Sequence, residues 1–280
     1  MNEYYTNITQ RGKFILYRGI SEDGTPFQRR EEFYPTMYVP SNKKTEYRTL
    51  DGLFVEPVQP GNIPDTREFI NKYQDIKGFD IYGNNDFVYQ FIGDNYKGEI
   101  DYDFSNIKVA TIDIECESEH GFPKPEEANE RINAITVDYN GWIYVYGLGE
   151  FNLAVGPYDG KLKQFKFETE EELLESFLAT WELESPDVVT GWNVRFFDIP
   201  YLVNRCKRVL GERATTKLSP WGWFKESKVT LVGGREQQVY ELVGISSIDY
   251  MDTYKKFTFT NRESYALNFI AYTELGEKKL

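Results

Sequence analysis

One short run constrains this chain more than any other: Val109-Ala110-Thr111-Ile112-Asp113-Ile114-Glu115, β-branched and apolar residues that carry two carboxylates. Side chains alternate faces along a strand, so Asp113 and Glu115 point one way while Ile112 and Ile114 point the other. Two carboxylates held that close repel one another. Acids at i and i+2 often just line a solvated strand face. Here Val109, Ala110, Ile112, Ile114 and Cys116 make the run apolar around its acids, the pattern of a central strand whose charges need a reason.

A second segment supplies that reason. Pro186 to Thr190 reads as a short buried strand leading into Gly191-Trp192-Asn193, and Val194-Arg195-Phe196-Phe197 follows before Asp198. Pro200, two positions on, predicts a helix from Asp198 through Tyr201, Leu202, Arg205 and Val209 to Gly211, a natural stop. Asp198 then stands at the mouth between strand and helix, where α/β folds place their sites. Asp113, Glu115 and Asp198 are the candidate catalytic and metal-ligating residues. Hard oxygen donors of this kind suit Mg2+ or Mn2+, and two such ions cleave phosphodiesters by activating a water and steadying the leaving oxygen.

At 280 residues the chain exceeds the usual single domain. The boundary is placed near Ser105 to Lys108, giving domains 1–107 and 108–280. His120 is the only histidine, and Cys116 and Cys206 lack metal-ligand spacing. Zinc sites and Ser-His or Cys-His catalysis are therefore poorly supported, and two reduced thiols are expected. No stretch reaches the length of a membrane span and the start has no signal-peptide pattern, so a cytosolic protein without a membrane partner is expected. The net charge of −13 argues against nucleic acid at first sight. Its distribution argues otherwise: residues 101–200 carry −14, around the carboxylate motifs, and residues 201–280 carry +4, a basic third able to follow a phosphate backbone.

The first domain reads as mostly β. Lys13 to Ile20 and Arg29 to Val39 flank the turn Ser21-Glu22-Asp23-Gly24 and predict a hairpin. Asp65 to Ile76 has helical spacing with Asp65 as N-cap, and Asp86 to Ile92 reads as an aromatic strand. In the second domain, Ile132 to Tyr139 and Trp142 to Gly147 form a hairpin across Asn140-Gly141. Thr169 with Glu172 makes a capping box for a helix that buries Leu173, Leu174, Phe177, Leu178 and Trp181, its acidic surface from Glu168 to Glu175 being solvated. Lys228 to Val243 predicts a further hairpin around Gly233-Gly234. Phe122 and Phe197 are aromatics that either stack on single-stranded DNA or simply pack.

Asp-Ile-Glu, then Gly-Trp-Asn-Val-x-x-Phe-Asp-Ile-Pro-Tyr, then Leu218-Ser219-Pro220, then Asp249-Tyr250-Met251-Asp252-Thr253-Tyr254-Lys255-Lys256-Phe257 and Phe259-Thr260-Asn261 resemble the replicative family B DNA polymerases of T-even-type bacteriophages. The resemblance covers essentially the whole chain. It implies an α/β (α+β) architecture: a mostly β N-terminal domain, then a ribonuclease-H-like 3′-to-5′ proofreading exonuclease domain with a mixed sheet flanked by helices. It makes Asp113 and Glu115 the metal ligands of the first exonuclease motif, with Asp198, assisted by Asn193, in the second. It gives the Lys228–Val243 hairpin a role in parting primer from template. The implied partners are DNA, as single-stranded primer 3′ end and primer-template, and the remaining polymerase polypeptide, in the cytoplasm of a phage's host.

The chain also departs from the pattern. The family's third motif places a Tyr close before a metal-binding Asp, and beyond residue 250 no Tyr here has an Asp at i+4. Asp249 and Asp252 correspond to a different segment. The polymerase signatures Asp-x-x-Ser-Leu-Tyr-Pro and Tyr-Gly-Asp-Thr-Asp are missing too. The expectation is thus an N-terminal fragment or subunit whose exonuclease site is impaired alone; the alternative is a non-catalytic DNA-binding or assembly module of a split polymerase.

Overall fold

The structure, a computed structural model, describes residues 3–151, 161–230, 234 and 236–277. The chain separates into two compact units, the first ending at Asn106 and the second beginning at Ile107.

In the first unit, β1 (Tyr4–Arg11), β2 (Phe14–Ile20) and β3 (Pro26–Glu32) form an antiparallel sheet in that order. The central strand β2 is buried along almost its whole length. Gly24 closes the turn into β3 at φ +84°, a conformation glycine adopts without steric cost. The partner run is shorter than the sequence predicts: β3 ends at Glu32, and β4 (Met37–Pro40) belongs to a second sheet with β5 (Tyr47–Arg48) and β6 (Phe54–Val58), ordered β4-β6-β5. Helix α1 spans Ile63–Tyr73, and its N-cap is Asn62; Asp65 closes the capping box from the N3 position instead of capping the helix itself. The segment Asp86 to Ile92 is not a strand. It is helix α2 (Phe87–Asn95), capped by Asp86, with Phe87 and Phe91 one turn apart and buried together against Ile15, Tyr17, Met37 and Ile63. Aromatic enrichment suggested a strand there, but burial at i and i+4 is helical spacing.

The second unit is built on a mixed sheet. Its strands are β7 (Val109–Cys116), β8 (Ile132–Tyr139), β9 (Trp142–Leu148), β10 (Leu162–Phe167), β11 (Val188–Gly191) and, at the far edge, β14 (Ser246–Asp249), in the order β10-β9-β8-β7-β11-β14. Strands β7, β8 and β9 run antiparallel through the Asn140-Gly141 turn, whose residues both have positive φ. Strand β11 pairs in parallel with β7 on one side and β14 on the other. This mixed sheet, flanked by helices α3 (Glu170–Glu184) and α4 (Asp198–Leu210), matches the architecture that the resemblance implies for the second domain. Thr169 and Glu172 form the capping box of α3, and Leu173, Leu174, Phe177, Leu178 and Trp181 enter the core.

After α4 come the short helix α5 (Glu212–Thr215) and an antiparallel hairpin of β12 (Phe224–Thr230) and β13 (Glu236–Leu242). Leu231, Val232 and Gly233, in the predicted turn of that hairpin, lie outside the described residues. Helices α6 (Tyr250–Phe257) and α7 (Leu267–Leu275) follow β14. Among the described residues no helix is long and apolar enough to cross a membrane, and both cysteines are free thiols.

Candidate active site

Strand β7 alternates as its sequence requires: Ile112 and Ile114 are buried in the core, and Asp113 and Glu115 are exposed on the opposite face. With β8 on one side and β11 on the other, β7 is central to the sheet. Its neighbour makes an unusually close approach. A Cβ on Gly191 would lie 2.4 Å from the Ile112 carbonyl oxygen, so only glycine lets β11 end there. The chain then turns through Asn193 at φ +65°, left-handed backbone that Asn tolerates better than most residues. The Asn193 carbonyl accepts hydrogen bonds from the Phe196 and Phe197 N–H groups at 3.1 and 3.0 Å, and α4 begins at Asp198.

Asp198 is 3% exposed, and its Oδ1 accepts a hydrogen bond from the Ile114 N–H at 3.1 Å. The second motif thereby reaches the backbone of the first, between the two carboxylates of β7. Burial raises the Asp198 carboxyl to about 7; the charge of Asp113 adds to this, and the Ile114 N–H opposes it.

These oxygens have the chemistry of a hard divalent-cation site, since a cation would offset the cost of burying the Asp198 charge and the repulsion from Asp113 that adds to it. They do not form a finished cage. Among the described residues, no group of three or more His, Cys, Asp or Glu side chains is arranged to hold a metal ion. The proposed ligand set of Asp113, Glu115 and Asp198 is therefore brought together only in part, with Asp198 turned to the Ile114 N–H.

A groove of about 520 Å³ is lined by Phe122, Asn193 and Phe197 together with Lys124, Gln237 and Lys255; none of the three carboxylates lines it. Phe122 is 81% exposed, its ring 5.6 Å from that of Phe197. Phe197 itself stacks on Tyr201 at 5.7 Å and packs against the core, so the two aromatics divide the roles: Phe197 is anchored and Phe122 stands out from it. Gln237 of β13 donates to the Phe196 carbonyl, which fastens the hairpin to the turn.

The loop carrying Phe122 is tied along one face of α4. Tyr201 donates to the Glu130 carbonyl and Asn204 to that of Pro125, both at 2.8 Å, while Arg205 Nη1 donates to the carbonyls of Ala128 and Asn129. Arg205 also forms a two-pronged ion pair with Glu170, Nε to Oε1 at 2.8 Å and Nη2 to Oε2 at 2.7 Å, and Glu170 accepts the Ile132 N–H as well. This corrects the expectation that Glu168 to Glu175 is simply a solvated surface: Glu170 is buried, neutralised by Arg205. The signal was legible in retrospect, because Arg205 falls within the buried stripe of α4 and a buried guanidinium demands a partner. Nothing comparable singled out Gln237, Lys124 or Lys255, which the fold brings to the groove from three separate segments.

Residues 62–270 match the family model described as DNA polymerase family B, exonuclease domain. Across its full length the chain is 34% identical to a DNA-directed DNA polymerase of Escherichia phage RB69 and 33% identical to one of Enterobacteria phage T4, covering 34% and 33% of those proteins. Over 62% of its length it is 30% identical to the DNA polymerase delta catalytic subunit of Bos taurus, covering 16% of that protein. The chain thus spans about a third of the length of the phage relatives it matches.

Proposed function

The chain belongs to the family B DNA polymerases, in the region of their exonuclease domain, and from that premise we propose that it is the 3′-to-5′ proofreading module of a phage-type replicative polymerase. In this reading residues 1–107 are the N-terminal domain, residues 108–280 carry the exonuclease site, and the protein works on DNA in the host cytoplasm. One observation carries it: the Asp198 carboxylate meets the β7 backbone between Asp113 and Glu115, and the turn that leads into Asp198 lines a groove through Asn193 and Phe197.

Asp113, Glu115 and Asp198 would hold the divalent ions, Mg2+ or Mn2+. When bound, such ions supply an activated water and stabilise the oxygen that leaves the phosphorus. The protein's own residues do the rest. Phe122 offers a ring face to an unpaired terminal base, Phe197 backs it, and Lys124 and Lys255 face the phosphates of a single strand entering the groove. Because the third motif's carboxylate is not among these residues, the metal-holding set is one ligand short and trimming by the chain alone is slow. The remaining polymerase polypeptide and primer-template DNA are the partners in this reading.

The test is degradation of a 3′-labelled single-stranded oligonucleotide with Mg2+ or Mn2+. Metal-dependent loss of the terminal nucleotide, abolished by Asp113→Ala, is the expected result; activity untouched by Asp113→Ala refutes the assignment. A second reading is a non-catalytic DNA-binding or assembly module of a split polymerase. That reading requires single-strand binding that survives Asp113→Ala, without trimming at any metal concentration.

A further inference from the structure

Resting on the nuclease reading of the site, we infer that Asp249 is a positioning residue: its carboxylate clamps the turn between β11 and α4 and so fixes Asn193 and Asp198 against β7. Parallel pairing sets Gly191 opposite Asp249, so the Asp249 side chain lies beside the residues that follow Gly191. Its Oδ1 accepts from the Asn193 N–H at 3.1 Å and its Oδ2 from the Arg195 N–H at 3.0 Å. Oδ1 also accepts from the Met251 N–H at 2.9 Å, which makes Asp249 the N-cap of α6. A carboxyl group only 5% exposed, with both oxygens committed to backbone N–H groups, has its acceptors occupied and is not a spare metal ligand.

The turn it holds needs an external brace. Asn193 sits at φ +65°, and Gly191 is pressed against the Ile112 carbonyl, so this stretch is held by its surroundings more than by local preference. Both residues flanking Val194, whose side chain is fully buried, are pinned through their N–H groups to the same carboxylate. Asp198 begins the helix three residues beyond Arg195, so slack in the turn is slack in the carboxylate that meets Ile114. Sequence alone gave Asp249 no role, since it lies outside the pattern of the metal-binding motifs.

Capping and positioning are separable by substitution. Asp249→Asn keeps an Oδ1 acceptor for Asn193 and Met251, and Asn caps helices about as well as Asp, but it turns an NH2 toward the Arg195 N–H. Asp249→Ala loses all three bonds. Thermal unfolding confirms that each variant is folded at the assay temperature. Amide exchange is then read at Asn193, Arg195 and Met251, and single-turnover trimming of an oligonucleotide is measured with Mn2+ over a range of protein concentrations.

In Asp249→Asn, exchange is expected to accelerate about tenfold at Arg195 while Met251 stays protected; in Asp249→Ala both accelerate. The single-turnover rate should fall about tenfold in the Asn variant and about a hundredfold in the Ala variant, the scale of a small misplacement of reacting groups. The half-saturating protein concentration should stay within about threefold of wild type, because the loss lies in the chemical step. Unchanged exchange at Arg195 in the Asn variant, or a loss confined to half-saturation, overturns the inference. If the wild-type chain trims nothing, the nuclease reading fails and the exchange rates alone decide whether Asp249 is the clamp.

Discussion

The Asp198 carboxylate accepts the Ile114 N–H at 3.1 Å, and this single bond joins the helix-borne acid to the strand that carries Asp113 and Glu115. It gives Asp198 a fixed address inside the protein and leaves its charge poorly solvated at 3% exposure. Burial and the neighbouring Asp113 raise its carboxyl from 3.8 to about 7.

Stability should therefore depend on pH through this one group. Below about pH 4 Asp198 is protonated in both folded and unfolded chains and costs nothing. Between about 4 and 7 the unfolded chain has lost the proton while the folded chain keeps it, so stability falls as pH rises, levelling off above about 7. The full penalty is about 4 kcal/mol, at 1.36 kcal/mol per pKa unit. In EDTA the wild-type melting temperature should drop between pH 5 and pH 8, and Asp198→Asn should flatten that slope. Mn2+ should restore the wild type at pH 8 and leave Asp198→Asn unmoved. Equal slopes in the two proteins would rule the effect out.

Arg205 and Glu170 make the second measurable demand. Removing one partner strands a buried charge and frees the loop that α4 holds, so Arg205→Ala should cost about 3–5 kcal/mol in urea unfolding. Replacing both partners, as in Glu170→Met with Arg205→Met, should cost less than the sum of the two single changes, because neither variant side chain is left charged. Strict additivity would show that the pair is not coupled.

Gly191→Ala tests the contact between the motifs directly. Its Cβ would meet the Ile112 carbonyl oxygen and a Val194 methyl at 2.4 Å each, contacts that force a backbone shift. A loss of about 1–3 kcal/mol is expected, with metal-dependent trimming falling further than stability does. A neutral substitution would mean that β11 tolerates displacement from β7.

Much of this was legible in the chain itself. Alternation alone put Ile112 and Ile114 inside and Asp113 and Glu115 outside, because period-2 patterning is a local property of a strand. The Thr169 capping box and the Asn140-Gly141 turn were equally local, and both are in the fold. What escaped was non-local. Asp86 to Ile92 is helical because Phe87 and Phe91 share a core with Ile15 and Met37, fifty or more residues away in sequence. Glu170 pairs with an arginine thirty-five residues on. The groove gathers Phe122, Gln237 and Lys255 from three segments, and no spacing rule links them.

Phe122 offers the most direct test of that groove. It is 81% exposed and contributes little to the core, so Phe122→Ala should leave the melting temperature essentially unchanged. Its ring stands 5.6 Å from that of Phe197 at the groove, where a terminal base could stack. Base stacking on an aromatic is worth about 1–3 kcal/mol, so the variant should bind a single-stranded oligonucleotide about 5- to 150-fold more weakly. Phe197→Ala should differ in kind, because Phe197 also packs on Tyr201 and the core, and that variant should lose stability along with binding. Fluorescence anisotropy with a labelled oligonucleotide reads the first effect and thermal unfolding the second. Unchanged affinity in a folded Phe122→Ala protein would remove this ring from the substrate path and leave Lys124, Asn193 and Lys255 to hold the strand without it.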